Sequence, residues 1–337
     1  MKRLFLLIAL GALFFLGACG GDLNDTNDAN GNEDKEKEKI VLGYFPNLNH
    51  APALVATEKE LYEKHLGDDV EIEYMTFSGG SDFMTALAAG EIQGGLVGPG
   101  PAMNSYISGV DVQLIAGSST GGTVIVSRKD SGIEKPEDIT DATFISPHVG
   151  CTHNVQFETY MKEKLGTTSS RTGGTMKHVT GKPAQYGTMF ENGDVDVATA
   201  PEPWASVLEA EQGANVVIDT PDIAFGKTLP AAIFVASDAF INESPETVQN
   251  LIAAHEEAIE FINDNPDDAI DITISAIDEI TGQKLERAHL ENAWERTFFA
   301  ADFEADVIQA FGDASYDLEF LKEQPDFSAF VNKEFLD

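Results

Sequence analysis

Between residues 40 and 236 short β-rich runs alternate with segments whose apolar residues recur about every 3.6 positions, and this alternation confines the chain to an α/β architecture. The strand-like runs are Ile40 to Tyr44, Val70 to Phe77, Leu96 to Val97, Val112 to Ala116, Thr123 to Ser127, Thr143 to Ile145, Val195 to Thr199, Val216 to Ile218 and Ala232 to Ala236. Helical patterns stand between many of them, at Ala51 to Tyr62, Asp82 to Ala89, Pro101 to Ile107 and Asn154 to Leu165. Connections of this kind put parallel strands inside helix-covered sheets and receive ligands at the carboxyl ends of the strands. The final third is mostly helical. Ser244-Pro245 can open a helix, after which Val248, Leu251, Ile252, Ile259 and Ile262 fall on one stripe. Asp267 to Ile280, Lys284 to Phe299 and Glu304 to Phe320 continue the helical texture.

Charge narrows the partners. Lys and Arg number 21 against 57 Asp and Glu, a formal charge of −36 spread along the chain. A nucleic-acid groove needs clustered positive charge, so that class is excluded. With 42% hydrophobic residues the 337-residue chain can fill cores in about two domains. Such acidity suits a saline or alkaline exterior, where salt screens self-repulsion.

The first residues point to that exterior. Met1, Lys2 and Arg3 precede the apolar run Leu4 to Leu16, which is shorter than the roughly 20 residues a membrane-spanning helix needs. Leu16-Gly17-Ala18-Cys19 closes it with small residues before a cysteine, and the segment resembles a bacterial lipoprotein signal. That likeness implies a signal peptide over 1–18 and acylation of Cys19, which anchors the protein to the outer face of the cell membrane. Residues 19–39 are rich in Gly, Asn, Asp, Glu and Lys and read as a hydrated, disordered tether. With Cys19 acylated, Cys151 has no partner for an internal disulfide.

Two catalytic signatures fail on context. Gly117-Ser118-Ser119-Thr120-Gly121 matches G-x-S-x-G, but a nucleophile elbow leads from strand to helix, whereas Thr123 to Ser127 is strand-like. Gly226-Lys227-Thr228 resembles the end of a phosphate-binding loop, yet Pro221 occupies the position of the required glycine. His50, His148, His153 and Cys151 are suitable zinc ligands without a known pair spacing, so neither a metal nor any other cofactor is expected.

What remains is a set of Gly, Pro and small polar clusters where strands pass into helices. They are Asn47-Leu48-Asn49-His50, Ser78-Gly79-Gly80-Ser81, Gly98-Pro99-Gly100-Pro101 and Val149-Gly150-Cys151-Thr152. Glycine allows close backbone approach, and a helix N-terminus presents unpaired N–H groups with a positive dipole end. Several such termini meeting in one cleft make an anion site that needs few basic side chains.

The run Ile40-Val41-Leu42-Gly43-Tyr44-Phe45-Pro46-Asn47-Leu48-Asn49-His50-Ala51-Pro52-Ala53-Leu54-Val55-Ala56, together with Ala86-Leu87-Ala88-Ala89-Gly90-Glu91-Ile92, Gly98-Pro99-Gly100-Pro101-Ala102 and Pro201-Glu202-Pro203-Trp204-Ala205-Ser206, resembles the nitrate, taurine and alkanesulfonate group of ABC-importer solute-binding proteins. The resemblance extends from about residue 40 past residue 300. It implies a two-lobe type II periplasmic-binding-protein fold with a hinge and an interlobe cleft, expected as a monomer without catalytic activity. The solute would pass to a permease and its ATPase. Lobe one is expected from 40–122 and 232–337, and lobe two from 123–231. Carried over, Asn49, His50, Ser78, Gly79, Gly80, Ser81, Gly98, Pro99, Ser118, Ser119, Thr120, Gly150, Cys151, Thr152, His153, Glu202 and Trp204 should line the cleft. Cys151 and His153 stand where relatives usually have small or amide residues. An aliphatic sulfonate is the favoured solute. The alternatives are a heteroaromatic vitamin precursor such as a pyrimidine, held by Trp204 and Tyr44 or Phe45, and an extracytoplasmic enzyme or sensor on the same fold.

Overall fold

The computed structural model describes residues 37–336, so the signal segment, Cys19 and most of the tether lie outside the described residues. The chain runs through β1 (Glu38–Tyr44), α1 (Ala51–Glu58), α2 (Leu61–Leu66), β2 (Val70–Thr76), α3 (Gly80–Ala88), β3 (Gly94–Val97), α4 (Pro99–Ile107) and β4 (Val112–Gly121). Next come β5 (Thr123–Ser127), β6 (Thr143–Ser146), α5 (Thr152–Leu165), β7 (Lys177–Thr180), α6 (Tyr186–Asn192), β8 (Val197–Pro201), α7 (Trp204–Gln212) and β9 (Asn215–Ile218). It returns in β10 (Pro230–Ser237) and finishes with α8 (Asp238–Glu243), α9 (Pro245–Asp264), α10 (Pro266–Thr281), α11 (Arg287–Trp294), β11 (Thr297–Phe299) and α12 (Ala305–Asp317).

Two sheets form, ordered β11-β4-β10-β3-β1-β2 and β7-β6-β8-β5-β9, and each is the centre of one lobe. β1 is parallel to β2 and β3, and β6 is parallel to β7 and β8. Both sheets are nonetheless mixed, because β10 is antiparallel to β3 and β4 while β5 is antiparallel to β8 and β9. The reason is connectivity: a chain that leaves one sheet through β4 and re-enters it through β10 must run the other way on its return. At the point of departure Gly121 and Gly122 have φ of 77° and 66°. A Cβ on Gly121 would lie 2.4 Å from the Arg296 carbonyl oxygen, so only glycine fits that turn.

Helices cover both faces of the first sheet. The apolar stripe of α9 (Val248, Leu251, Ile252, Ile259 and Ile262) is buried against Ile40, Leu42 and Leu54 on one side, while Phe83, Leu87, Leu114, Phe311 and Phe330 fill the other. Each such side chain taken out of water contributes about 1.5–3 kcal/mol. In the second lobe Ile125, Phe144, Phe157 and Met161 form one core, with Val126, Ile145, Tyr186 and Leu208 on the opposite face.

Two local expectations need correction, and one strand forms where none was expected. The helix expected over Ala51 to Tyr62 is broken, since Glu60 takes a left-handed φ of 53° and α2 starts afresh at Leu61. The helix expected over Lys284 to Phe299 stops at Trp294, and β11 then pairs with the edge of β4. The polar run Lys177–Thr180 is an edge strand, β7, with too few apolar residues to announce itself.

Candidate functional site

A cavity of about 520 Å³ lies between the lobes, where the carboxyl ends of strands give way to helices. It is of the size that buries a small ligand. From the first lobe Phe45, Asn49, His50, Phe77, Ser78, Gly79, Gly80 and Gly98 face it; from the second come Cys151, Thr152, His153, Lys182 and Trp204. Ten of the residues expected in the cleft therefore meet in one place: Asn49, His50, Ser78, Gly79, Gly80, Gly98, Cys151, Thr152, His153 and Trp204.

The other seven lie elsewhere, each for a local reason. Ser118, Ser119 and Thr120 belong to β4, which continues as strand to Gly121, so their hydroxyls are not presented to the cavity. Ser119 Oγ instead donates to the Asn49 carbonyl at 2.9 Å, and Ser118 Oγ to the same oxygen at 3.5 Å. Thr120 pairs with Phe298 of β11. Pro99 is the buried first residue of α4. Ser81 and Gly150 line a neighbouring cavity of about 560 Å³ beside Arg171 and Phe320.

Glu202 is fully buried behind the cavity. Its carboxylate accepts bonds from the Ser206 backbone N–H and Oγ and from the Arg296 guanidinium, each at 3.0 Å. Burial raises the Glu202 pKa, with Ser206 and Arg296 pulling against that rise. Arg296 also pairs with Asp219 at 2.9 Å and with Glu209. Glu202 is thus an anchor between elements, not a partner for a solute amine.

Phe77, Lys182 and Gln283 also line the cavity and are not among the residues expected there, while Phe45, expected only for a heteroaromatic solute, lines it as well. Lys182 follows strand β7, which the sequence does not announce, and Gln283 lies in the loop after α10, in the gap between the helical patterns ending at Ile280 and starting at Lys284, away from the Gly/Pro junctions where strands pass into helices.

The helix termini differ in what they can offer. α3 starts after Gly79 without a side-chain cap, so its first N–H groups and positive dipole end remain available, whereas at α5 the His153 and Asn154 N–H groups face the Cys151 sulfur and the helix offers its positive dipole end. α4 is different: Pro99 and Pro101 have no N–H, and Gly100 N–H donates to Thr152 Oγ1 at 3.2 Å. The cleft is closed by further contacts between the lobes. A Cβ on Gly79 would fall 1.8 Å from His148 Nε2, and Gln283 Nε2 donates to the Ala184 carbonyl at 3.1 Å.

The buried imidazoles of His50 and His153 and the Cys151 thiol are held neutral on the wall. Burial pushes His50 down to about 3, helped by the neighbouring His153, and pushes His153 down to about 4. Burial also raises the Cys151 thiol, which keeps it protonated and a poor nucleophile. Trp204, only 5% exposed, opens α7 and belongs both to the cavity wall and to the first-lobe core. Among the described residues the wall includes no Asp or Glu, and no group of three or more His, Cys, Asp or Glu is placed to hold a metal ion.

Comparison with known proteins places this arrangement. A model of the NMT1-like family matches residues 33–277. A Brucella abortus (strain 2308) protein, by its name a candidate binding protein, is 26% identical over 238 residues, covering 70% of this chain and 69% of its own length. The taurine-binding periplasmic protein of Escherichia coli (strain K12) is 24% identical over 220 residues, which is 64% of each chain. Among solved structures, the alkanesulfonate-binding protein of Xanthomonas axonopodis pv. citri bound to MOPS superposes with a TM-score of 0.74 at 18% identity, covering 88% of this chain and 99% of that one. With the family model spanning most of its length and the two-lobe architecture shared, the chain belongs to the NMT1-like family and has the fold of the periplasmic binding proteins.

Proposed function

We propose that the protein is the solute-capturing component of an ABC importer, which closes over a small organic anion and hands it to a permease driven by an ATPase. One observation carries the anion: among the described residues the cavity wall has no carboxylate, in a chain with 57 Asp and Glu. A cationic solute would be buried there without a counter-charge, which is costly. An anion instead meets the open N-terminus of α3, the positive dipole end of α5 and Lys182. An aliphatic sulfonate is the favoured solute, because its oxygens can accept several N–H bonds while its carbon chain packs on Phe45, Phe77 and Trp204. The names of two similar proteins, one for taurine and one for alkanesulfonate, support this choice.

The same aromatic side chains favour a second reading, a heteroaromatic solute such as a pyrimidine, stacked on Trp204 and Phe45. In either case we infer capture without chemistry by a monomer tethered outside the cell through acylated Cys19. Lobe one would comprise 40–122 and 232–337, lobe two 123–231, with closure about Gly121-Gly122 and the segment that returns the chain to β10.

Titration calorimetry with alkanesulfonates, nitrate, bicarbonate and pyrimidines tests the proposal. Saturable one-site binding of a sulfonate supports it. Binding of pyrimidines alone replaces it with the second reading, and binding of none of these overturns both.

A further inference from the structure

Two imidazoles on the cavity wall have hydrogen-bonding capacity that the protein itself leaves unused. His50, the N-cap residue of α1, is 5% exposed, and its Nδ1 has no partner among the described residues. His153 sits in the first turn of α5, and its buried Nε2 also has none. They come from opposite lobes, His50 from the loop after β1 and His153 from the helix after β6, so closure is what brings them to one cavity. Each uncharged imidazole can donate one hydrogen bond and accept another.

We propose that His50 and His153 read an uncharged hydroxyl on the solute close to its anionic head, so that the preferred ligand is a hydroxyalkyl sulfonate and not a plain or an amino-substituted one. The inference rests on the anion reading above and deepens it. A hydroxyl both donates and accepts, and a single such group can satisfy one lone pair and one N–H from the two rings. An alkyl chain leaves both ring nitrogens buried and unmet. An ammonium group could donate to the rings but would find no carboxylate on the wall to balance its charge. The position of His153 limits where the hydroxyl can be. It lies in the first turn of α5, at the positive dipole end that draws the anion, so the hydroxyl it reads is close to the head.

The test compares ethanesulfonate, 2-hydroxyethanesulfonate and 2-aminoethanesulfonate by titration calorimetry on the whole protein at neutral pH. The hydroxy compound should bind about tenfold or more tightly than ethanesulfonate, and the amino compound should be the weakest. His50→Phe and His153→Phe should each collapse the hydroxy-to-plain affinity ratio, and His50→Gln or His153→Gln should restore part of it. Equal affinity of the wild-type protein for the hydroxy and plain compounds overturns this inference alone, and needs no variant to fold. So does a ratio unchanged in both Phe variants. If none of the three sulfonates binds, the anion reading fails and takes this inference with it.

Discussion

Thr152 Oγ1, at the start of α5, accepts the backbone N–H of Gly100 in α4 across the cleft, at 3.2 Å. The contact joins the lobes directly. Gly98 leaves room for it, since a Cβ there would lie 2.7 Å from the same oxygen, and a Cβ on Gly100 would lie 2.8 Å from the Gly150 carbonyl and 2.9 Å from Thr152 N.

Gly100→Ala should therefore block full closure without unfolding either lobe. Thr152→Val should leave the Gly100 N–H buried and unmet in the closed form, which weakens solute binding by about 1–3 kcal/mol. Small-angle scattering at saturating solute should show the radius of gyration of Gly100→Ala staying at its solute-free value while the wild type contracts. Equal contraction in both would remove the clasp.

A second clasp lies on the far side of the cleft. Arg171 donates to the carbonyls of Leu318 at 2.7 Å and Glu319 at 3.3 Å, and its guanidinium lies 3.8 Å from the centre of the Phe320 ring. Lys162 Nζ adds a bond to the Asp317 carbonyl at 2.8 Å, placing two cations at the C-terminus of α12. Arg171→Ala should speed solute release by about tenfold in stopped-flow measurements, and Arg171→Lys should not restore the rate, because an ammonium lacks the planar fork.

Arg296→Met should cost about 3–5 kcal/mol at neutral pH by leaving Glu202 buried and unpaired. The pH dependence has a definite sign. Burial holds the Glu202 pKa above its ordinary value of 4.5, so between the two values the folded state binds more protons than the unfolded one and stability falls as pH rises. Without Arg296 that pKa climbs further. The deficit of the variant, read from urea unfolding, should shrink as pH is lowered from neutral towards 4.5. A deficit that grows on acidification would contradict the assignment.

Gly95→Ala should destabilise the first lobe by about 3 kcal/mol or more. Gly95 has a φ of 133°, and a Cβ would lie 2.1 Å from the Gly43 carbonyl oxygen and 2.6 Å from its nitrogen in the adjacent strand. Backbone on both sides cannot yield as a side chain can. Guanidinium unfolding should show a lower midpoint with an unchanged slope.

Cys19→Ala should release the protein into the medium or stall its processing, because stable anchoring needs more than one acyl chain on that residue. Detergent partitioning of cell extracts is the readout; unchanged membrane association would reject the lipid anchor.

The sequence was most informative where one physical signal dominates. The run Thr123–Ser127 is apolar on both faces because helices cover both sides of its sheet, and its ends were read to the residue. The stripe from Val248 to Ile262 likewise declared which face of α9 is buried. β7 and β11 were not legible, since short edge strands need only one neighbour and carry little apolar alternation. For the site, the Gly and Pro junctions marked the places where chain enters the cavity, so the loops at Asn49-His50, Ser78 to Gly80 and Cys151 to His153 were found. Orientation was not in those local patterns. Whether Ser119 or Glu202 turns toward solute or toward another part of the protein depends on contacts with Asn49 and Arg296, which are 70 and 94 residues away along the chain.

The loop that holds His50 is stitched to the crossing point of the chain. Leu48 N–H donates to the Glu202 carbonyl at 3.1 Å, Glu202 N–H donates to the Gly122 carbonyl at 2.9 Å, and the Asn49 carbonyl receives Ser119. In the proposed closure about Gly121-Gly122, His50 therefore sits near the fulcrum and Gly79 and His148 on the long arm of the lever. A small rotation then sweeps the second lobe's part of the site, His153 included, towards a His50 loop that hardly moves. The reading of the solute is then completed only as the lobes meet, with one fixed contact and one that arrives, so the same motion that traps the cargo also tests its chemistry.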